Sequence, residues 1–139
     1  MIGIMILGHA QFAHEMVRVI EQIESPQRNL VCEDYRKGDT KEGFAEAVNR
    51  AAASFAPDTQ GVLIFTDSAR GTPYHTALAY AETCASYPVI VITGANLPAI
   101  VESALSRNYI NDVEMLADLA VEHGKKQVMR FGGAQPLPR

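Results

Sequence analysis

The chemistry this sequence can offer gathers where two apolar runs stop. "MIGIMILGHAQ" opens the chain, and its apolar run gives way at Gly8 to His9. Much further along, "GVLIFTDSARGTPYH" ends a second apolar run at Thr66-Asp67. A carboxylate that accepts a hydrogen bond from one imidazole nitrogen fixes the ring's tautomer and orientation. The lone pair of the other nitrogen is then free to attack. The carboxylate also stabilises the positive charge that develops on the ring. Beyond Asp67, Arg70 and Gly71 lead into Thr72-Pro73, which reads as a hydroxyl cap followed by proline at the first helical position. Free N–H groups at a helix start, with the helix dipole behind them, suit an anion such as phosphate. A histidine nucleophile, an orienting carboxylate and an anion-binding helix end together point to phosphoryl transfer through a phosphohistidine. Each residue also has a plainer reading: His9 as a loop residue, Asp67 as a turn residue with a local side-chain bond, Thr72 as a simple cap.

What favours the chemical reading is placement. Residues 2–7, 62–66 and 89–93 are apolar without alternation, the pattern of strands covered on both faces in a parallel sheet. Residues 30–35 mix apolar and acidic side chains and read as a strand nearer an edge. Between these runs lie helical spacings. Phe12, Met16, Val19, Ile20 and Ile23 form one stripe, and Phe44, Ala47, Val48, Ala51, Ala52 and Phe55 form a second that ends before Pro57. Thr72-Pro73 opens a third helix and Asn96-Leu97-Pro98 a fourth. Asn111-Asp112 opens a fifth, with Val113, Leu116, Ala120 and Val121 on one stripe and a stop at Gly124. "KQVMRF" remains as a short C-terminal strand. Alternating strands and helices predict an α/β fold, doubly wound, with a mainly parallel sheet of order 2-1-3-4 and helices on both faces. In that order the strand connections reverse between the first and third strands, where ligands bind beyond the carboxyl ends. His9 and Asp67 follow those two strands.

The totals narrow the function classes. At 139 residues the chain is most simply one domain, residues 1–131, with a loose tail over 132–139. A net charge of −4 gives no basic footprint, so nucleic acid is not an expected partner. Cys32 and Cys84 lie in no metal-ligand or paired spacing and read as buried thiols of a reducing compartment. No signal peptide or membrane-spanning run is legible, so a cytoplasmic protein without membrane insertion is expected. There is no Walker lysine motif and no GxGxxG, which argues against ATP or a dinucleotide. The site chemistry calls for neither metal nor other cofactor. His14 and His123 read as surface residues, His123 favoured by the C-terminus of its helix.

Three blocks, "IMILGHAQFA", "GVLIFTDSARGTPYHTA" and "GANLPAIVESAL", occur in an order and spacing that resembles the IIA domain of the mannose-family phosphotransferase system. That family passes phosphate from the carrier protein HPr to a IIB protein for sugar uptake. The resemblance implies that His9 is transiently phosphorylated, that Asp67 holds its ring and that Thr72 lies near the phosphoryl group. It implies HPr as donor and a separate EIIB protein as acceptor. It also implies a homodimer whose C-terminal strand, here "KQVMRF", is exchanged between subunits and covers an open sheet edge. Two positions depart from the pattern. Arg70 stands where the first of two glycines is usual, and His75 replaces a common asparagine. Arg70 either adds a guanidinium contact to phosphate or is a solvated loop arginine. Two other readings are a regulatory module read by its phosphorylation state and the phosphocarrier subunit of a dihydroxyacetone kinase. "SARGTP" fits the transport version better than the Leu-Gly-Ser loop usual in that subunit.

Overall fold

Strand and helix alternate through β1 (Gly3–His9), α1 (Phe12–Ile23), β2 (Leu30–Tyr35), α2 (Lys41–Ala53), β3 (Val62–Thr66), α3 (Thr72–Thr83), β4 (Val89–Ile92), α4 (Leu97–Ser106) and α5 (Val113–Gln127). This is a computed structural model describing residues 1–139. The four strands form one parallel sheet in the order β2-β1-β3-β4, as the sequence predicts. β1 therefore lies between β2 and β3. Its first residues pair with the start of β3, and its last residue, His9, stands beside Tyr35 of β2.

The unbroken apolar character of β1 and β3 has a direct cause. Ile4, Ile6, Leu63 and Phe65 pack on one side with Ala13 and Ile20 of α1, Ile100 of α4 and Leu116 of α5. Met5, Leu7, Val62 and Ile64 pack on the other with Phe44 and Val48 of α2 and Ala77 of α3. Both faces are dry, so neither side of the pleat tolerates polarity. Not every expected stripe residue takes part. Val19, Ile23 and Val121 are exposed, while Ala13 and Ala117 take buried positions on their helices. Cys32 and Cys84 are half-buried free thiols rather than fully buried ones. Burial, with Asp34, Glu33 and Glu21 nearby, pushes the Cys32 thiol up to about 11.

Two expectations at the C-terminal end need correction. α5 does not stop at Gly124 but runs on to Gln127. Gly124 is needed for a close crossing: a Cβ there would lie 2.9 Å from Cβ of Ala99 and 3.0 Å from Oδ1 of Asn96. The Asn96 amide donates to the Gly124 carbonyl at 2.9 Å and its oxygen caps α4. Nor does "KQVMRF" form a strand within the chain. Lys126 and Gln127 are helical, and no strand of the chain pairs with the residues that follow. An extended segment becomes a sheet strand only when a neighbour takes its N–H and C=O groups. The remaining pairing there is the Gly132–Gln135 bridge.

At the opposite end of the sheet from His9, Arg107 is fully buried without a carboxylate partner. Its guanidinium donates to the carbonyls of Ile2 and Asn29 at 3.0 Å, to the Arg28 carbonyl, and to Oε1 of Gln27 at 3.3 Å. Burial, and then the charge of Arg28, lowers its pKa to about 10, so it stays protonated at neutral pH. One side chain thus ties the end of α4 to the segments entering β1 and β2. Removing it by Arg107→Met takes its donors from the buried Ile2 carbonyl and the half-buried carbonyls around it, and should lower unfolding free energy by about 1–3 kcal/mol in urea titration. Gly124→Ala separates two accounts of that glycine by sign. Helix propensity alone raises stability by up to about 1 kcal/mol. The close crossing instead lowers it by about 1–3 kcal/mol, and that is the outcome expected.

Candidate functional site

The site is built where β1 and β3 end side by side. Asp67 follows β3, and its backbone N–H donates to the Leu7 carbonyl at 3.3 Å. The carboxylate then reaches back to His9, accepting the His9 backbone N–H at 2.8 Å on Oδ2. It also meets the ring at Nδ1, 3.0 Å from Oδ2 and 3.2 Å from Oδ1. Two points of attachment fix both the position of His9 and the rotation of its imidazole. With Nδ1 donating to Asp67, Nε2 is the nitrogen that carries the lone pair. The ring of Tyr35, standing on Phe44, meets the imidazole edge-on with 6.5 Å between centroids. Ala10 then takes a left-handed conformation, φ 58°, and its N–H donates to the Tyr35 carbonyl at 3.1 Å. This turn releases the chain from the sheet immediately after His9.

Nε2 faces Gly71. A Cβ on Gly71 would lie 2.7 Å from Nε2, and φ there is +90°, so both space and conformation require glycine. Gly71, not Thr72, is the N-cap of α3; Thr72 is the first helical residue and is buried. The expected hydroxyl cap is thus displaced by one residue, because the turn at Gly71 brings the helix in earlier. No side chain caps α3. The other four helices are capped: α2 by Thr40, α4 by Asn96, α5 by Asp112, and α1 by Asp34 of β2. α3 therefore presents its first-turn amides and the positive end of its dipole with no side chain of the protein to accept from them, and it does so beside Nε2.

Of the residues expected in the site, His9, Asp67 and Gly71 converge. Thr72 stands next to Gly71 and joins His75 in lining a groove of about 770 Å³ between α2 and α3. His9 opens on a different, smaller cleft of about 400 Å³, lined by Ala10, Tyr35, Arg36, Lys37, Gly38 and Asp39. Gly71, which stands against Nε2 of His9, also lines the larger groove, so the two openings meet at that residue. The Arg70 guanidinium makes no hydrogen bond or ion pair; its backbone N–H is held by Oγ of Ser68 at 3.2 Å. Sequence reasoning missed Tyr35 and the Arg36–Asp39 loop, because only the parallel register of β1 with β2 brings them to His9. It also missed Asp34, whose role as a cap across strands leaves no local spacing to read. No group of three or more His, Cys, Asp or Glu side chains is placed to hold a metal ion. No helix is long and apolar enough to cross a membrane.

Known proteins are similar to this chain in sequence and in fold. Residues 3–121 match the EIIA-man family, described as PTS system fructose IIA component, where PTS denotes the phosphotransferase system. The mannose-specific EIIAB component of Escherichia coli K12 is 30% identical over 127 residues, which is 91% of this chain and 38% of that protein. The fructose-specific EIIA component of Bacillus subtilis is 25% identical over 86% of this chain and 80% of its own. Among solved structures, an EIIA phosphotransferase component from Streptococcus agalactiae superposes with a TM-score of 0.85 at 25% identity, covering 94% of this chain and 97% of its own. The mannose/sorbose-specific IIA subunit from Enterococcus faecalis shares the fold at 22% identity with a TM-score of 0.80, covering 99% and 97%. With a family match over nearly its whole length, on the sheet order that sets His9 beside Asp67, this chain belongs to the EIIA components of the mannose and fructose type of the sugar phosphotransferase system.

Proposed function

We propose that the protein is a phosphocarrier that accepts a phosphoryl group on Nε2 of His9 from phospho-HPr and passes it to an EIIB protein during sugar uptake. The observation that carries this reading is the pairing of a free Nε2 with the uncapped start of α3. Nε2 attacks phosphorus as the donor's N–P bond breaks. The Nδ1 proton stays between ring and carboxylate, and Asp67 compensates the positive charge on the phosphorylated imidazole. The phosphoryl oxygens enter the space a side chain at position 71 would fill, within reach of the α3 amides. Thr72 flanks that space, and Arg70 is a partner-free cation one residue away. Transfer between two imidazoles is near thermoneutral, so the protein's contribution is alignment and charge stabilisation. Neither ATP, dinucleotide nor metal enters this scheme. The carrier would work in the cytoplasm, where its donor acts.

A homodimer formed by exchange of the C-terminal segment fits the same reading. Val128, Met129 and Phe131 are exposed apolar residues next to the end of α5, and the outer edge of β4 pairs with no strand of the chain.

Incubation with phosphorylated HPr should label His9 in the wild type, as mapped by mass spectrometry, and His9→Ala should pass no phosphate on to EIIB; a variant that passes it as well as the wild type contradicts the assignment. Asp67→Asn, with tautomer control lost, should slow transfer on the order of 10²-fold or more while the fold is kept. Gly71→Ala should abolish labelling of His9, because its methyl group occupies the phosphoryl position. It should also cost about 1–3 kcal/mol of stability through the unfavourable φ. Arg70→Ala should slow transfer about tenfold if the guanidinium meets the phosphoryl oxygens. An unchanged rate assigns Arg70 to solvent.

A further inference from the structure

The hydrogen-bond pattern that holds His9 occurs a second time in this molecule. Asp34, the penultimate residue of β2, accepts the backbone N–H of His14 at 3.0 Å and meets the His14 ring at Nδ1 at 2.7 Å, both on Oδ2. Its other oxygen accepts the Ala13 backbone N–H at 2.9 Å. Asp67 does the same for His9, taking one backbone N–H and Nδ1 of the same residue. The two histidine side chains are equally open, each 45% exposed. The two carboxylates differ: the Asp67 side chain is 15% exposed and that of Asp34 is fully buried. A buried carboxylate acts in a lower dielectric, so its hold on the ring and on any positive charge developing there is the stronger of the two.

The duplication has a topological origin. β1 lies between β2 and β3, and each flanking strand carries an aspartate near its end: Asp67, just past β3, reaches the last residue of β1, and Asp34, one before the end of β2, reaches the first turn of α1. The two pairs adjoin. Gly8, the residue before His9, pairs with Asp34 in the sheet, and a Cβ on Gly8 would come within 3.1 Å of the Asp34 carboxylate. Capping α1 explains the two backbone bonds of Asp34 but asks nothing of the side chain at position 14, an exposed place in the first turn. The third bond locks an imidazole with Nδ1 as donor and Nε2 unused. His75 and His123 have no such carboxylate partner.

We propose that His14 is a second nucleophilic imidazole of this protein, a modification site that takes a phosphoryl group on Nε2 from an N–P donor. In that step Nε2 of neutral His14 forms a bond to phosphorus and the donor's P–N bond breaks. The donor nitrogen departs as neutral imidazole from a phosphohistidine, or as ammonia from phosphoramidate. The Nδ1 proton remains on the ring, and Asp34 balances the resulting positive charge. A dianion at position 14 would then sit beside the carboxylate that adjoins Gly8, the residue before His9.

The test uses potassium phosphoramidate, so it does not depend on the protein donor or on the role of His9. The full-length His9→Ala variant is treated at neutral pH, and phosphoryl occupancy at His14, His75 and His123 is followed over time by mass spectrometry under alkaline conditions. The proposal expects His14 to be labelled at least tenfold faster than His75 and His123. It expects Asp34→Asn in the same background to bring that rate down to theirs. Asparagine keeps one acceptor oxygen for one of the two α1 amides, and an unchanged circular dichroism spectrum verifies that the helix persists. Labelling of His14 no faster than the other two, or equally fast with Asp34→Asn, overturns the proposal.

Discussion

The contact on which the site depends is the one between His9 and Asp67, which joins residues 58 positions apart in the chain. Neither residue has local structure that would hold it in place. The imidazole lies at the last position of β1 and the carboxylate one step past β3, and only the parallel pairing of those strands brings them together. That pairing is fixed by the core. Ile4 and Ile6 face one helical layer, Met5 and Leu7 the other, and the same division holds along β3. A slip of one residue would turn every one of these side chains to the opposite layer and carry the Asp67 position away from His9. The apolar runs therefore act as the scaffold that sets a distance of 3.0 Å between two polar groups.

Conformational details around the pair follow from the same constraint. The chain turns sharply before α1 and before α3, and at Ala10 and Gly71 it does so through positive φ. At Gly71 the turn has a second consequence, since it brings the bare start of α3 against Nε2. Four helices of this protein satisfy their first turn with a side chain, and one does not. Leaving backbone donors open is unfavourable in a purely structural helix end. Next to Nε2 of His9, open donors are what the proposed phosphoryl acceptor requires.

The sheet order, the four strands and the pairing of His9 with Asp67 were legible because they follow from residue type and from one topological rule. Unbroken apolar runs identify strands covered on both faces, and the reversal of strand order identifies which strand ends must meet. Register was not legible. Tyr35 stands beside His9, and Asp34 reaches α1, only because β2 pairs with β1 in one particular offset. Arg107 was missed for a related reason: an arginine after a helix reads as solvated, and its burial depends on carbonyls from three distant segments. Gly124 shows a residue whose local meaning is ambiguous. Glycine ends helices and also permits close crossings, and the contact with Asn96 and Ala99 decides between them. The C-terminal strand was read from what the helices left over, and its exchange from resemblance; within the chain no strand pairs with it.

The proposed acceptor is a single atom, Nε2 of His9, and one spectrum addresses it. Protein with 15N-labelled histidine, phosphorylated by its carrier donor, can be examined by two-dimensional NMR that correlates ring nitrogens with ring protons and with phosphorus. The account predicts a phosphorus coupling to Nε2 of His9, with Nδ1 still protonated against Asp67. A phosphoryl group found on Nδ1 of His9, or carried by another residue with His9 unmodified, would contradict it.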